Sequence, residues 1–164
     1  MIYTNLTSPL GEVTATAKDG ALTGFWFIGQ KYYPEITGLW KKEPENKVFK
    51  ELDTWLKEYF KGSKTHFPLK VEPKGTDFQK AVWQELLLVP YGSLTTYGKI
   101  AIKLGGSKGY SQAVGTAVGH NPISVIIPCH RVVGTSGSLT GYAGGLERKK
   151  VLLNLEGADI KSVL

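Results

Sequence analysis

The pattern of this chain changes once, across residues 61–75, where Gly62, Pro68, Pro73 and Gly75 interrupt a stretch with neither strand nor helix periodicity. That break limits the possible folds more than any other feature, because the residues on its two sides obey different rules. On the N-terminal side, Ile2 to Leu6, Val13 to Ala17 and Leu22 to Ile28 are short runs rich in β-branched and aromatic residues. The turns Ser8-Pro9-Leu10-Gly11 and Asp19-Gly20 separate them, so they read as consecutive strands. Residues 48–61 then take helical spacing: Val48, Leu52, Trp55, Leu56 and Tyr59 share one face, with Gly62 at the exit. These signals predict an α+β chain of two small domains, 1–72 and 73–164.

The second part is mainly helical. Thr76 and Gln79 form a capping box before the apolar stripe Phe78, Val82, Leu86 and Val89, and Pro90-Tyr91-Gly92 ends that helix. Thr96 is placed to cap a helix carrying Tyr97, Ile100, Ala101 and Leu104. After the loop Gly105-Gly106-Ser107-Lys108-Gly109, Ser111 is placed to cap a second helix carrying Val114, Ala117 and Val118. Two short helices around a glycine turn have the form of a helix-turn-helix, a form that helical hairpins with no nucleic-acid role also take. Ala113, Gly115, Thr116 and Ala117 keep the second helix slim enough to lie close to another surface. Val125-Ile126-Ile127 and Val132-Val133 read as buried strand on either side of Pro128, which cannot donate to a ladder. A glycine-rich loop covers 134–145, and a last helix over 146–156 turns Val151, Leu152 and Leu155 inward before Gly157.

Cys129 is the only cysteine among 164 residues, so it forms no internal disulfide and no cysteine-rich zinc site. His66 and His120 have no acidic or thiol cluster at ligand spacing, so no metal is expected. Cys129 is then either an inert buried residue or a reactive thiol. His130 and Arg131, adjacent to it, favour the thiolate if they face it. Neighbouring side chains in extended structure point to opposite faces, so a contact between Cys129 and His130 needs a sharp turn or a bridging water. A histidine acting as a base usually has an acidic partner, and Glu156 is a candidate because it stands where a helix dipole disfavours its charge. The net charge of +6 favours a polyanionic partner. No stretch is apolar for long enough to span a bilayer, and no basic-then-apolar leader opens the chain, so a reducing cytoplasmic setting is expected.

From Thr76 to Gly157 the chain resembles the O6-alkylguanine-DNA alkyltransferases. The resemblance rests on Phe78, Trp83, Pro90-Tyr91-Gly92, Thr96-Tyr97, Ala113-Val114-Gly115, Asn121-Pro122, Ile127-Pro128-Cys129-His130-Arg131-Val132, Gly141-Tyr142-Ala143-Gly144-Gly145 and Leu152-Leu153-Asn154-Leu155-Glu156-Gly157. It implies a ribonuclease H-like sheet-and-helix domain followed by a winged helix-turn-helix-like alkyltransferase domain. It implies that Cys129 takes the alkyl group from O6 of guanine, or O4 of thymine, in double-stranded DNA, once per molecule and with no cofactor. Glu156 and His130 would draw off the thiol proton through a water, with Asn121 supporting the set. Tyr97 would protonate the departing guanine. Val132, Tyr142, Ala143 and Gly144 would line the pocket for a base flipped out of the duplex. Tyr97, Gly98, Ser107, Gln112 and Thr135 fall where the family meets DNA, and the protein would act as a monomer.

One position departs from the family. Gln112 stands where an arginine usually fills the gap left by the flipped base, which implies weaker binding or flipping. Two other readings compete. A binding protein for alkylated bases, or a transcriptional regulator, would use the same helices without transfer, although relatives of that kind lack the cysteine. A cysteine hydrolase built on Cys129 and His130 would turn over esters or amides, and would leave the helical pair and the positive charge unexplained.

Overall fold

The structure, a computed structural model, describes residues 1–159; positions 160–164, the end of the expected second domain, lie outside the described residues. Two compact units emerge, Met1–Lys74 with Pro122–Ser124, and Gly75–Asn121 with Val125 onward.

In the first unit, strands β1 (Ile2–Ser8), β2 (Gly11–Lys18) and β3 (Ala21–Phe27) form antiparallel hairpins, and the short β4 (Lys41–Lys42) runs parallel to β1. The sheet order is β3-β2-β1-β4. Asp19 and Gly20 both take positive φ, 50° and 80°, as a two-residue hairpin loop requires when it must match strand twist. Strand β2 is buried from Val13 to Ala17: Val13, Ala15 and Ala17 on one face, Thr14 and Thr16 on the other. The threonines are tolerated because Thr14 bonds Asn5 and Tyr33, and Thr16 bonds Thr23. Gly24 has no substitute, since a Cβ there would fall 2.0 Å from the Trp26 ring. Helix α1 (Lys47–Phe60) starts at Asn46, whose side chain accepts from Val48 N, and buries Val48, Phe49, Leu52, Leu56 and Tyr59. The stretch after it is not free: Leu22 N donates to Lys70 O, and Glu72 N donates to Leu22 O. The distant Pro122–Ser124 joins this unit through Phe25 N to Pro122 O and Ser124 N to Phe25 O.

The second unit holds helices α2 (Asp77–Leu87), α3 (Tyr97–Lys103), α4 (Ser111–Gly119) and α5 (Leu146–Leu155). The capping box at the start of α2 is formed by Thr76 and Gln79 in both directions. Its buried stripe is Val82, Trp83 and Leu86, while Phe78 is exposed, and Trp83 Nε1 donates to Ala117 O to tie α2 to α4. Thr96 caps α3 by accepting from Lys99 N. Ser111 does not cap α4: a 3₁₀ turn over Lys108–Tyr110 leads into it, with Ser107 Oγ accepting from Gly109 N.

Two further expectations are corrected. Residues 125–127 are not a strand, because Val125 sits at φ 70°, which turns the chain instead of extending it. Helix α5 buries Lys149, Leu152 and Leu153, whereas Val151 is exposed. Two-residue strands β5 (Thr95–Thr96) and β6 (Val132–Val133) pair in parallel, Thr95 with Val132 and Thr96 with Val133. This small ladder sets the start of α3 beside the residues that follow Cys129. Among the described residues, no helix is long and apolar enough to cross a membrane.

Candidate active site

Cys129 lies in a double turn rather than in a strand. Pro128 has φ −81° and ψ 64°, the geometry of an inverse γ-turn, closed by Cys129 N donating to Ile127 O at 2.8 Å. A 3₁₀ turn over Cys129–Arg131 follows, with Arg131 N donating to Pro128 O, and Val132 returns to extended backbone. The strict alternation of strand side chains therefore does not apply to Cys129 and His130. Asn121 supports the turn: its Nδ2 donates to Ile127 O at 2.8 Å, and its side chain also bonds the thiol. Cys129 is 5% exposed. Burial pushes its thiol up, while the Asn121 bond and the Lys149 charge offset part of that rise. The expectation that His130 and Arg131 favour a resting thiolate is not met, because both turn to Glu156.

There Glu156 Oε2 lies 2.7 Å from His130 Nε2. Arg131 donates from Nε to Glu156 Oε1 at 2.7 Å and from Nη2 to Oε2 at 3.0 Å, and from Nη1 to Val89 O at 2.7 Å. Its guanidinium also stands 5.8 Å from the Tyr91 ring centroid, whose hydroxyl donates to Leu155 O. Glu156 caps the C-terminus of α5, an unfavourable place for an anion, and these cationic and N–H donors compensate. Burial lowers the His130 pKa more than the carboxylate raises it, so the imidazole is neutral near pH 7. In that form Nε2–H donates to Glu156 and Nδ1 carries the lone pair. Nδ1 is buried with no hydrogen-bond partner among the described residues, so it is free to accept a proton.

Lys149 is the feature that sequence reasoning missed. It is fully buried and donates from Nζ to three carbonyls: Val132 at 2.6 Å, Thr140 at 2.8 Å and Gly141 at 3.3 Å. Burial pulls its ammonium down to about 8, against an opposing pull from Cys129. One cation thus joins the residue after the Cys129 turn to the glycine-rich loop. The available signal was its helical spacing with Leu152 and Leu153, which puts a lysine on an apolar face.

The model of the ribonuclease-like domain of 6-O-methylguanine DNA methyltransferase matches residues 1–73, and that of its DNA-binding domain matches 77–158. The chain belongs to this methyltransferase family. It is 44% identical to the methylated-DNA–protein-cysteine methyltransferase of Mycolicibacterium paratuberculosis over 154 residues, covering 94% of this chain and 91% of that one. It is 42% identical to the enzyme of the same name from Methanosarcina barkeri over 161 residues, covering 98% and 100%. In structure it is similar to the Mycobacterium tuberculosis OGT crystallised with DNA, with TM-score 0.89, 42% identity and coverage of 98% and 96%.

In this family member the remaining expected residues fall in two groups. Val132 and Gly144 are buried, and Tyr142 and Ala143 half-buried, along the loop that Lys149 anchors. Gly145, at φ 94°, closes that loop on Tyr142 O before α5 begins. Tyr97 is half-buried at the start of α3, its hydroxyl accepting from Thr140 Oγ1 at 3.1 Å. Gly98 is buried behind it. Ser107, Gln112 and Thr135 are exposed: one before the 3₁₀ turn, one in the first turn of α4 and one after β6. Asn121 bonds the Cys129 thiol and His130 bonds Glu156, two hydrogen-bonded pairs on consecutive residues of the turn, and Ser107, Gln112 and Thr135 are exposed positions.

Proposed function

We propose that this protein repairs O6-alkylguanine, and O4-alkylthymine, in double-stranded DNA by moving the alkyl group to Sγ of Cys129. The observation that carries this reading is the neutral His130, held through Nε2 by Glu156 with Nδ1 open, one residue from a buried thiol. Burial keeps the thiol protonated at rest, so the nucleophile has to be generated at the moment of attack. The thiol proton passes through a water to His130 Nδ1, and Glu156 stabilises the imidazolium that forms. Asn121 holds Sγ as it attacks the alkyl carbon. The carbon–sulfur bond forms as the carbon–O6 bond breaks, and the bonding pair stays on the base. Tyr97 gives that base a proton, so guanine leaves neutral. One proton has left the thiol and one has joined guanine.

Val132, Tyr142, Ala143 and Gly144 line the pocket for the flipped base, with Lys149 fixing the loop that bears the last three. Tyr97, Gly98, Ser107, Gln112 and Thr135 meet the duplex. A thioether has no easy hydrolytic exit, so each molecule acts once and needs no cofactor. Residues 73–164 carry DNA binding and transfer, residues 1–72 are structural, and the protein works as a cytoplasmic monomer. The relative crystallised with DNA supports DNA as the partner. A binding protein without transfer is disfavoured because nucleophile and base are both present. The test uses a duplex with one labelled O6-methylguanine. The wild type takes up one methyl per molecule and stops; Cys129→Ala takes up none and still binds the duplex. Continued turnover, or transfer by Cys129→Ala, contradicts the reading.

A further inference from the structure

We propose that Thr140 is a positioning residue for Tyr97, holding the phenol so that its proton points at the departing base. The inference rests on the proton-donor role of Tyr97 proposed above. Thr140 Oγ1 donates to the Tyr97 oxygen at 3.1 Å, and the phenol is the acceptor in this bond. A phenol has one proton, which prefers the ring plane, so accepting on one side directs the O–H to the other. It also strengthens the phenol as a donor, because hydrogen bonds in a chain polarise one another.

Both partners are held from behind. The Thr140 carbonyl accepts from Lys149 Nζ, which also grips Val132 and Gly141. Its methyl lies on the Gly134 side, 3.5 Å from where a Cβ on that residue would stand. On the other side, Thr96 caps α3 and pairs with Val133, and the Tyr97 ring lies 3.6 Å from the Cβ position of Gly115. The bond therefore registers the start of α3 against the loop that lines the base pocket. Thr140 is exposed and outside the base pocket proper, so its hydroxyl has no packing duty to account for it.

Single-turnover transfer and duplex affinity are measured for the wild type, Thr140→Val and Thr140→Ser, and again for Thr140→Val in a Tyr97→Phe background. Removing the hydroxyl slows transfer by roughly three- to tenfold, the range for one hydrogen bond, with affinity changed by less than about twofold. Thr140→Ser keeps the wild-type rate, and Thr140→Val has no further effect once Tyr97 is phenylalanine. Equal rates for Thr140→Val and wild type overturn the proposal. So does a loss of the same size in the Tyr97→Phe background, a loss that Thr140→Ser shares, or a rate loss matched by weaker binding. If Tyr97→Phe is itself as fast as wild type, the positioning role falls while transfer to Cys129 stands; no methyl on wild-type Cys129 defeats the proposed function itself.

Discussion

Cys129 is the proposed nucleophile and yet only 5% exposed, and nucleophilicity and burial pull in opposite directions. Burial holds the proton on sulfur, so the free protein should be a poor general nucleophile that acts on a carbon delivered to it. The folded pKa lies above the ordinary 9.0, so the thiolate grows only as pH rises past that value, and the stability linked to the retained proton is lost over the same range. Iodoacetamide labelling of the DNA-free protein is therefore expected to be slow at neutral pH and to accelerate above pH 9. A labelling rate already at its plateau below pH 8 contradicts this. Motif blocks of specific order single out Cys129, His130, Asn121 and Glu156 in the sequence, and the structure pairs Asn121 with Cys129 and His130 with Glu156. The roles of Arg131 and Lys149 were not legible there. Arg131 looks like a neighbour for the thiol, and only the turn at Pro128 sends it to Glu156 and Val89 instead. Lys149 looks like an ordinary surface lysine until α5 is docked.

Helix α5 does two tasks from one face. Its C-cap Glu156 bonds His130, and about two helical turns earlier Lys149 satisfies the carbonyls of Val132, Thr140 and Gly141. Replacing Lys149 by methionine leaves those carbonyls without a donor and should destabilise the fold by about 1–3 kcal/mol in urea titrations. The loss also depends on pH. The folded ammonium titrates at about 8 against an ordinary 10.5, so between these values the unfolded chain holds a proton that the folded chain has lost. Stability then rises with pH through that window, and the advantage of wild type over Lys149→Met is expected to grow from pH 8 to 10.5. A gap that shrinks over that window contradicts the assignment. Elements with local signals were readable: the Thr76–Gln79 box, the α1 stripe and the Asp19-Gly20 turn. The misreadings had tertiary causes. Val125-Ile126-Ile127 has strand composition, but a positive φ at Val125 bends it, and a 3₁₀ turn displaces Ser111 from its cap.

At the scale of the molecule, the +6 net charge suits a polyanion, but the proposed contact residues Tyr97, Gly98, Ser107, Gln112 and Thr135 carry none of it. Gln112 is neutral and exposed at the start of α4. Gln112→Arg is expected to tighten duplex binding and to steepen the salt dependence by about one phosphate equivalent, a change of about 0.9 in the logarithmic slope. Equal slopes for the two proteins remove that idea. The break across residues 61–75 is marked locally by glycine and proline, and the two compact units part after Lys74. The return of Pro122–Ser124 to the first unit is not marked, since no local rule announces a contact with Phe25 nearly a hundred residues away. The most direct test is the mass of one peptide. After mixing with a duplex holding a single O6-methylguanine, the peptide containing Cys129 should be heavier by one methyl, with unmodified guanine left in the DNA. An unchanged Cys129 peptide, or a methyl on any other residue, contradicts the account.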